Sequence, residues 1–182
     1  WDNYPFPDFN RFYYDATDLL NCHSHMTYTM LKEHYPEKTR FIPHALPDNL
    51  FKPLDQSTVL KNKISLLGPD KKDYFTGIWV NRNAKRKRPN DVLLSFSKFL
   101  KTLKEREGHQ KACLIMHTEP TDSEGPNLFA TAEMLGIHEN VYFSRDRLEF
   151  EKMNVLYNIS DYCLNMSFAE GFGLSTLEAM MA

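Results

Sequence analysis

Residues 74–108 run YFTGIWVNRNAKRKRPNDVLLSFSKFLKTLKEREG and join three different sequence patterns without a break. The opening YFTGIWV is an apolar run of strand length. NRNAKRKR follows at once, a polar loop dense in Arg and Lys. From Pro89 the apolar residues recur at helical spacing up to Gly108, with Pro in the first turn and Gly just past the end. A buried strand, a basic loop and a long amphipathic helix in direct succession form the first half of a strand–helix–strand unit.

The same alternation continues downstream. KACLIMH (111–117) reads as an apolar strand, TEPTDSEGP (118–126) as a polar loop, and NLFATAEMLG (127–136) as a helix closed by Gly136. NVYFS (140–144) reads as a strand, EFEKMNVLYNIS (149–160) as a helix and DYCLNMS (161–167) as a strand. A last helix starts near Leu174 or Ser175. Strands without polar alternation, each followed by a helix, predict an α/β domain whose parallel sheet is covered on both faces. Ligands in such sheets bind beyond the carboxyl ends of the strands. The loops NRNAKRKR, TEPTDSEGP, SRDRL and FAEGFG all follow strands, so all fall on that edge.

Upstream the pattern is looser. The first thirteen residues, rich in Pro and aromatics, read as irregular. DLLNCHS (18–24) reads as a short strand, and HMTYTMLKEHYP (25–36) as a helix with Met26, Met30 and Leu31 on its apolar face. RFIPHAL (40–46) reads as a strand, PDNLFKP (47–53) as a turn-rich connection, and QSTVLKNKISLL (56–67) as a helix closed by Gly68.

With 42% hydrophobic and 25% charged residues among 182, the composition is that of an ordinary globular protein, and the net charge of -2 gives no basic balance of the kind nucleic-acid binders carry. Any anion site is therefore local. Cys22, Cys113 and Cys163 form no CxxC or Cys/His pattern and read as reduced thiols of a cytoplasmic protein. No run reaches membrane-span length, and membrane association is not evident. The chain begins without Met and reads as a piece of a longer protein.

Two loops carry chemistry. The first places Arg82, Lys85, Arg86, Lys87 and Arg88 at a strand exit. Arg and Lys suit phosphate oxygens, although such a run is also compatible with a solvated basic face or an import-like patch. The second is EGFGLSTLEAM (170–180), where two glycines permit close approach of a ligand to the backbone. The helix that follows aims unpaired N–H groups at the loop. Glu170 and Glu178 stand eight positions apart. A competing local reading is a capping box, with Ser175 as cap and Glu178 folding back on its amide. His44 and His117 have no local partner that suggests a triad or metal site and read as loop or core histidines.

In series these phrases resemble a family. Glu170 to Glu178 resembles the E-x7-E signature of retaining GT-B-fold glycosyltransferases, the glycosyl transferases group 1 family. FIPHALPDNLFKP (41–53) resembles that family's hinge phrase, and NRNAKRKR its Arg-x4-Lys loop after the first donor-domain strand. The latter is especially similar to members from large DNA viruses and environmental sequences. Ala45, where Gly is usual, and Ser175, where Pro is frequent, depart from the pattern.

The resemblance implies an incomplete donor-binding half of a GT-B enzyme: residues 1–45 as the end of an acceptor-binding domain, 46–53 as the hinge, and 54–182 as a truncated Rossmann-like donor domain. It implies transfer of a sugar from a nucleotide-diphosphate sugar to an unspecified acceptor with retention, and that the chain alone does not complete the reaction. Arg82 and Lys87 would grip the diphosphate. Glu170 would face the sugar, Gly171, Phe172, Gly173 and Leu174 would present the backbone of the turn to the donor, and Glu178 would accept from the ribose. The base would lie near Ser144. No acidic pair suggests a metal, so metal independence is expected, and no cofactor beyond the donor. The alternative is a non-catalytic nucleotide- or phosphate-binding Rossmann module. A nucleic-acid patch is disfavoured by the acidic balance and by the lack of aromatics within the basic run.

Overall fold

The computed structural model describes residues 6–182. Their contacts divide the chain into two units, the segment up to Ala45 with residues 170–174, and residues 46–169 with residues 175–182.

The first unit is a small strand–helix–strand. Strand β1 (Leu20–Cys22) leads into helix α2 (His25–His34), which returns the chain to β2 (Thr39–Phe41), parallel to β1 with Leu20 opposite Thr39. Ser24 caps α2 by accepting from the Thr27 amide at 3.2 Å. Leu20, Cys22, Met30 and Leu31 form the buried core. Met26, expected on the same face, is exposed; it lies in the first turn, at the end of strands only three residues long. The expected strand over 40–46 stops at Phe41, and the Ile42 amide still bonds to Cys22 O at 2.9 Å.

Part of the opening segment differs from its irregular reading. Residues 1–5 lie outside the described residues, but Arg11–Ala16 form a short helix, α1. None of its side chains is fully buried and only Tyr14 packs on the core, so it leaves no apolar periodicity to read. An exposed ion pair between Arg11 and Asp8, at 2.9 Å, stands at its start.

The second unit starts from helix α3 (Gln56–Leu67), capped by Asp55. Then come β3 (Phe75–Val80), α4 (Pro89–Glu107), β4 (Ala112–His117), α5 (Leu128–Met134), β5 (Val141–Ser144), α6 (Phe150–Asn158), β6 (Tyr162–Cys163) and α7 (Leu174–Met181). The strands form one parallel sheet in the order β5-β4-β3-β6. The β6 reading is longer than the observed two residues, although Asp161 N and Leu164 N still bond to Thr76 O and Ile78 O on either side.

Side-chain alternation along the central strands explains their continuous apolarity. Trp79, Leu114 and Met116 enter a core with Val92, Leu93, Phe96 and Leu100 of α4 and Leu128 of α5. Ile78, Cys113 and Ile115 enter the opposite core with Leu67 of α3 and Met153, Leu156 and Tyr157 of α6. Helices cover both faces of these central strands, so both sets of alternate positions are mainly apolar, Thr76 being a buried polar exception.

Candidate functional site

The sheet order reverses between β3 and β6, and the connections leaving these strands diverge to opposite faces. Such a switch point opens a crevice at the carboxyl edge. The loops on its two sides are tied together: the Phe168 amide donates to Arg86 O at 2.8 Å, and the Arg86 guanidinium donates to Ala169 O at 3.2 Å. The basic loop after β3 therefore lies against the segment that leads directly into Glu170.

Within the basic loop the five cations separate into distinct environments. Lys85 and Arg86 are exposed, whereas Lys87 is 7% exposed at the end of a 3₁₀ turn spanning Lys85–Lys87. Arg88 takes a left-handed backbone (φ 53) at the start of α4 and pairs with Asp91 at 2.6 Å. Arg82 is met by two carboxylates of the loop after β4. Its Nε and Nη2 donate to Asp122 at 2.8 and 3.2 Å, and its Nη1 lies 3.0 Å from Glu124. This pairing raises the guanidinium pKa and, foremost through the Arg82 bond, lowers that of Asp122.

The fully buried Asn83 locks these loops together. Its side-chain amide donates to Pro120 O and Pro126 O at 3.2 and 2.8 Å. The backbone of the acidic loop passes so near that a Cβ on Gly125 would stand 2.1 Å from Asn83 Oδ1 and 2.5 Å from Asn83 O, so only glycine fits. Among the described residues, the buried Trp79 Nε1, Asn81 Nδ2, Asn83 Oδ1 and Thr118 Oγ1 have no hydrogen-bond partner, and the last three lie at this edge.

The third loop, after β5, joins the same edge. Arg145 reaches Glu119 at 3.1 Å, and the Thr118 amide donates to Ser144 O at 3.0 Å. Glu119 has a lowered pKa, held first by the Thr121 hydroxyl and amide and then by Arg145. Ser144 Oγ lies 2.9 Å from His117 Nδ1, and burial lowers the His117 pKa. A groove of about 760 Å³ runs beside Ser144, Arg145 and Leu148, walled by Leu66 of α3 and Lys152 of α6.

At the last helix the structure corrects one reading. Helix α7 begins at Leu174, so Ser175 is already inside it, and Glu178 does not fold back as a capping-box partner. Its Oε2 instead accepts from the Tyr157 hydroxyl at 2.6 Å. A carboxylate accepts through both oxygens, so this bond leaves Glu178 further acceptor capacity. Gly173 precedes the helix with φ 92, the left-handed backbone that glycine supplies without strain.

In the first unit, Glu170 is half-buried, and Phe172 stands edge-on to His44 at 5.2 Å. The His44 ring stacks on His23 at 4.1 Å, and His23 Nδ1 lies 2.8 Å from Ile42 O. The sequence reading attached neither histidine to the Gly-rich turn. It also missed Asp122, Glu124, Glu119 and Arg145, since nothing local to TEPTDSEGP or SRDRL marks which residue meets which. Among the described residues no three His, Cys, Asp or Glu side chains come together to hold a metal ion, and no helix is long and apolar enough to cross a membrane.

No family model and no curated protein matches the sequence. Solved structures do resemble it. HepE of Anabaena, crystallised with UDP and glucose, aligns with a TM-score of 0.71 at 19% identity over 91% of this chain and 42% of that one. A glycosyltransferase of Rickettsia africae aligns with a TM-score of 0.70 at 19% identity over 98% of this chain and 47% of that one. The C-terminal domain of LpcC, a glycosyl transferase group 1 family protein of Francisella tularensis, aligns with a TM-score of 0.55 at 21% identity over 76% of this chain and 67% of that one. The chain spans less than half the length of the first two. The shared feature is the fold, the Rossmann-like α/β arrangement found in GT-B glycosyltransferases.

Proposed function

We propose that the chain is the donor-binding part of a nucleotide-sugar-dependent glycosyltransferase that transfers sugar with retention. The observation that carries this reading is the direct bonding of the basic loop after β3 to the segment entering the Gly-rich turn, at the point where the strand order reverses. Solved relatives in fold that hold UDP or UDP-glucose add support. Residues 1–45 are then the end of an acceptor-binding domain, 46–53 the hinge and 54–182 the donor domain.

In this reading Arg82 and Lys87 hold the donor diphosphate, and Glu170 faces the sugar. Gly171, Phe172, Gly173 and Leu174 offer the backbone of the turn, and Glu178 accepts from the ribose. The base lies along the groove at Ser144. Glycosyl transfer passes through a cation-like sugar centre while the departing diphosphate gains negative charge. Cations and helix N–H groups already in place stabilise that charge more in the transition state than in the ground state. With two cationic side chains and a helix start assigned to this task, the reaction proceeds without a divalent metal.

The test is donor turnover by the full-length protein. Arg82→Ala and Lys87→Ala each lower it by roughly a hundredfold or more. Wild-type rates in both variants refute the assignment. Ligand-observed NMR with a panel of UDP-, GDP- and ADP-sugars identifies the nucleotide, and undiminished turnover in excess chelator checks the metal independence.

A further inference from the structure

The acidic loop after β4 does not treat Arg82 uniformly. A guanidinium presents five N–H donors in one fixed plane. Asp122 takes the Nε side in a two-point contact, while Glu124 touches only Nη1, toward the end of the fork. The two carboxylates also differ in setting. The Asp122 side chain is 15% exposed and that of Glu124 58%. Asp122 Oδ1 accepts in addition from the Glu124 amide at 3.0 Å, and the Gly125 amide donates to Asp122 O at 3.1 Å. Asn83 fixes the ends of the same loop from beneath. Asp122 is thus a held group and Glu124 a loose one.

We propose that Asp122 is a positioning residue that sets the plane of the Arg82 guanidinium, and that Glu124 is an internal anion which an incoming diphosphate displaces. The inference rests on the donor reading of Arg82 above. With both carboxylates in place the trio carries a net charge of one negative unit, and an anion entering beside it is repelled. Expelling Glu124 breaks one exposed contact, whereas expelling Asp122 breaks a two-point contact on a largely covered side chain. The fork end released by Glu124 then points Nη1 and Nη2 donors at the phosphate oxygens, still oriented by Asp122. Glu124 therefore raises the threshold for anions in general, and a ligand that reaches additional partners overcomes it.

The experiment compares Asp122→Asn, Glu124→Gln and Arg82→Ala in the full-length protein, with UDP and pyrophosphate as probes. Asn at 122 keeps the oxygen that accepts from the Glu124 amide and removes the charge. The first readout is hydrogen exchange of the Arg82 Nε proton by NMR, without nucleotide. It is slow in wild type, fast in Asp122→Asn and still slow in Glu124→Gln. The second is affinity by calorimetry. Asp122→Asn weakens UDP by about three- to tenfold as the guanidinium loses its preset orientation. Glu124→Gln tightens both probes by about two- to fivefold, the range of an exposed ion pair. Unchanged Nε exchange in Asp122→Asn overturns the positioning role, and unchanged or weaker binding in Glu124→Gln overturns the displacement. If Arg82→Ala binds UDP as wild type does, the donor reading of Arg82 fails and displacement with it, while the exchange measurement still decides the role of Asp122.

Discussion

Tyr157→Phe probes the contact that replaced the expected helix cap. Tyr157 is 4% exposed, its ring packs edge-on against Phe51 at 5.8 Å, and its hydroxyl donates to Glu178 at 2.6 Å. Burial first, and then Glu178, raise the phenol pKa far beyond its ordinary value, so the hydroxyl remains a donor at any working pH. The substitution leaves the ring and its packing and removes one bond to a charged acceptor, a class worth about 1.5–3 kcal/mol. Glu178 is only half-buried, so water reaches the abandoned oxygen and the loss falls near the lower end. For a chain of this length (182 residues) each kcal/mol lowers Tm by about 2–4 °C, which gives a drop of about 3–6 °C. Scanning calorimetry of Tyr157→Phe, Glu178→Ala and the double variant isolates the pair term. We expect a coupling of about 1 kcal/mol or more, since residues in direct contact depart from additivity on that scale. Additivity within about 0.3 kcal/mol would refute the reasoning, because the two groups would then act independently.

Gly125→Ala places a methyl group against Asn83 and destabilises the protein by about 1–3 kcal/mol in urea titration, with faster exchange of the Arg82 Nε proton as the acidic loop shifts. The His117 pKa is depressed by burial, so its contribution to stability is complete above pH 6.5 and is lost as pH falls through the lower folded value. Tm of wild type therefore falls more steeply below pH 6.5 than that of His117→Gln, and parallel profiles would contradict this. Ser24→Ala removes the cap of α2 and costs about 1 kcal/mol, measured by chemical denaturation of the first unit.

The functional consequence of the fold lies in which loops share an edge. The sheet order puts β3 between β4 and β6, so the basic loop is bonded on one side to the acidic loop and on the other to the segment before Glu170. On the proposals above, this arrangement supplies both an anion-binding group and a means of restraining it. In that reading a ligand with a single weak charge gains little from Arg82 while Glu124 occupies it, and a diphosphate with several contacts gains more.

Local features of the sequence decided the course of the chain. A parallel sheet buried on both faces demands uninterrupted apolar strands, and 74–80 and 111–117 declare themselves for that reason. Pro89 and Gly108 mark α4 because backbone geometry favours them at those two ends. The helix α1 escaped because only one of its side chains, Tyr14, packs on the core. The capping box failed for a related reason: Ser175 and Glu178 have the right spacing, but the helix starts two residues too early for Ser175 to cap it, and a buried phenol claims the carboxylate. That phenol is 21 residues away, and Asp122 is 40 residues from Arg82. No local pattern encodes such pairs. Hydrophobic period and turn chemistry act over a few residues and fix each element. The charge partners at the sheet edge follow from strand order and from loop closures such as Asn83 against Gly125, which exist only once the tertiary structure has brought distant loops together.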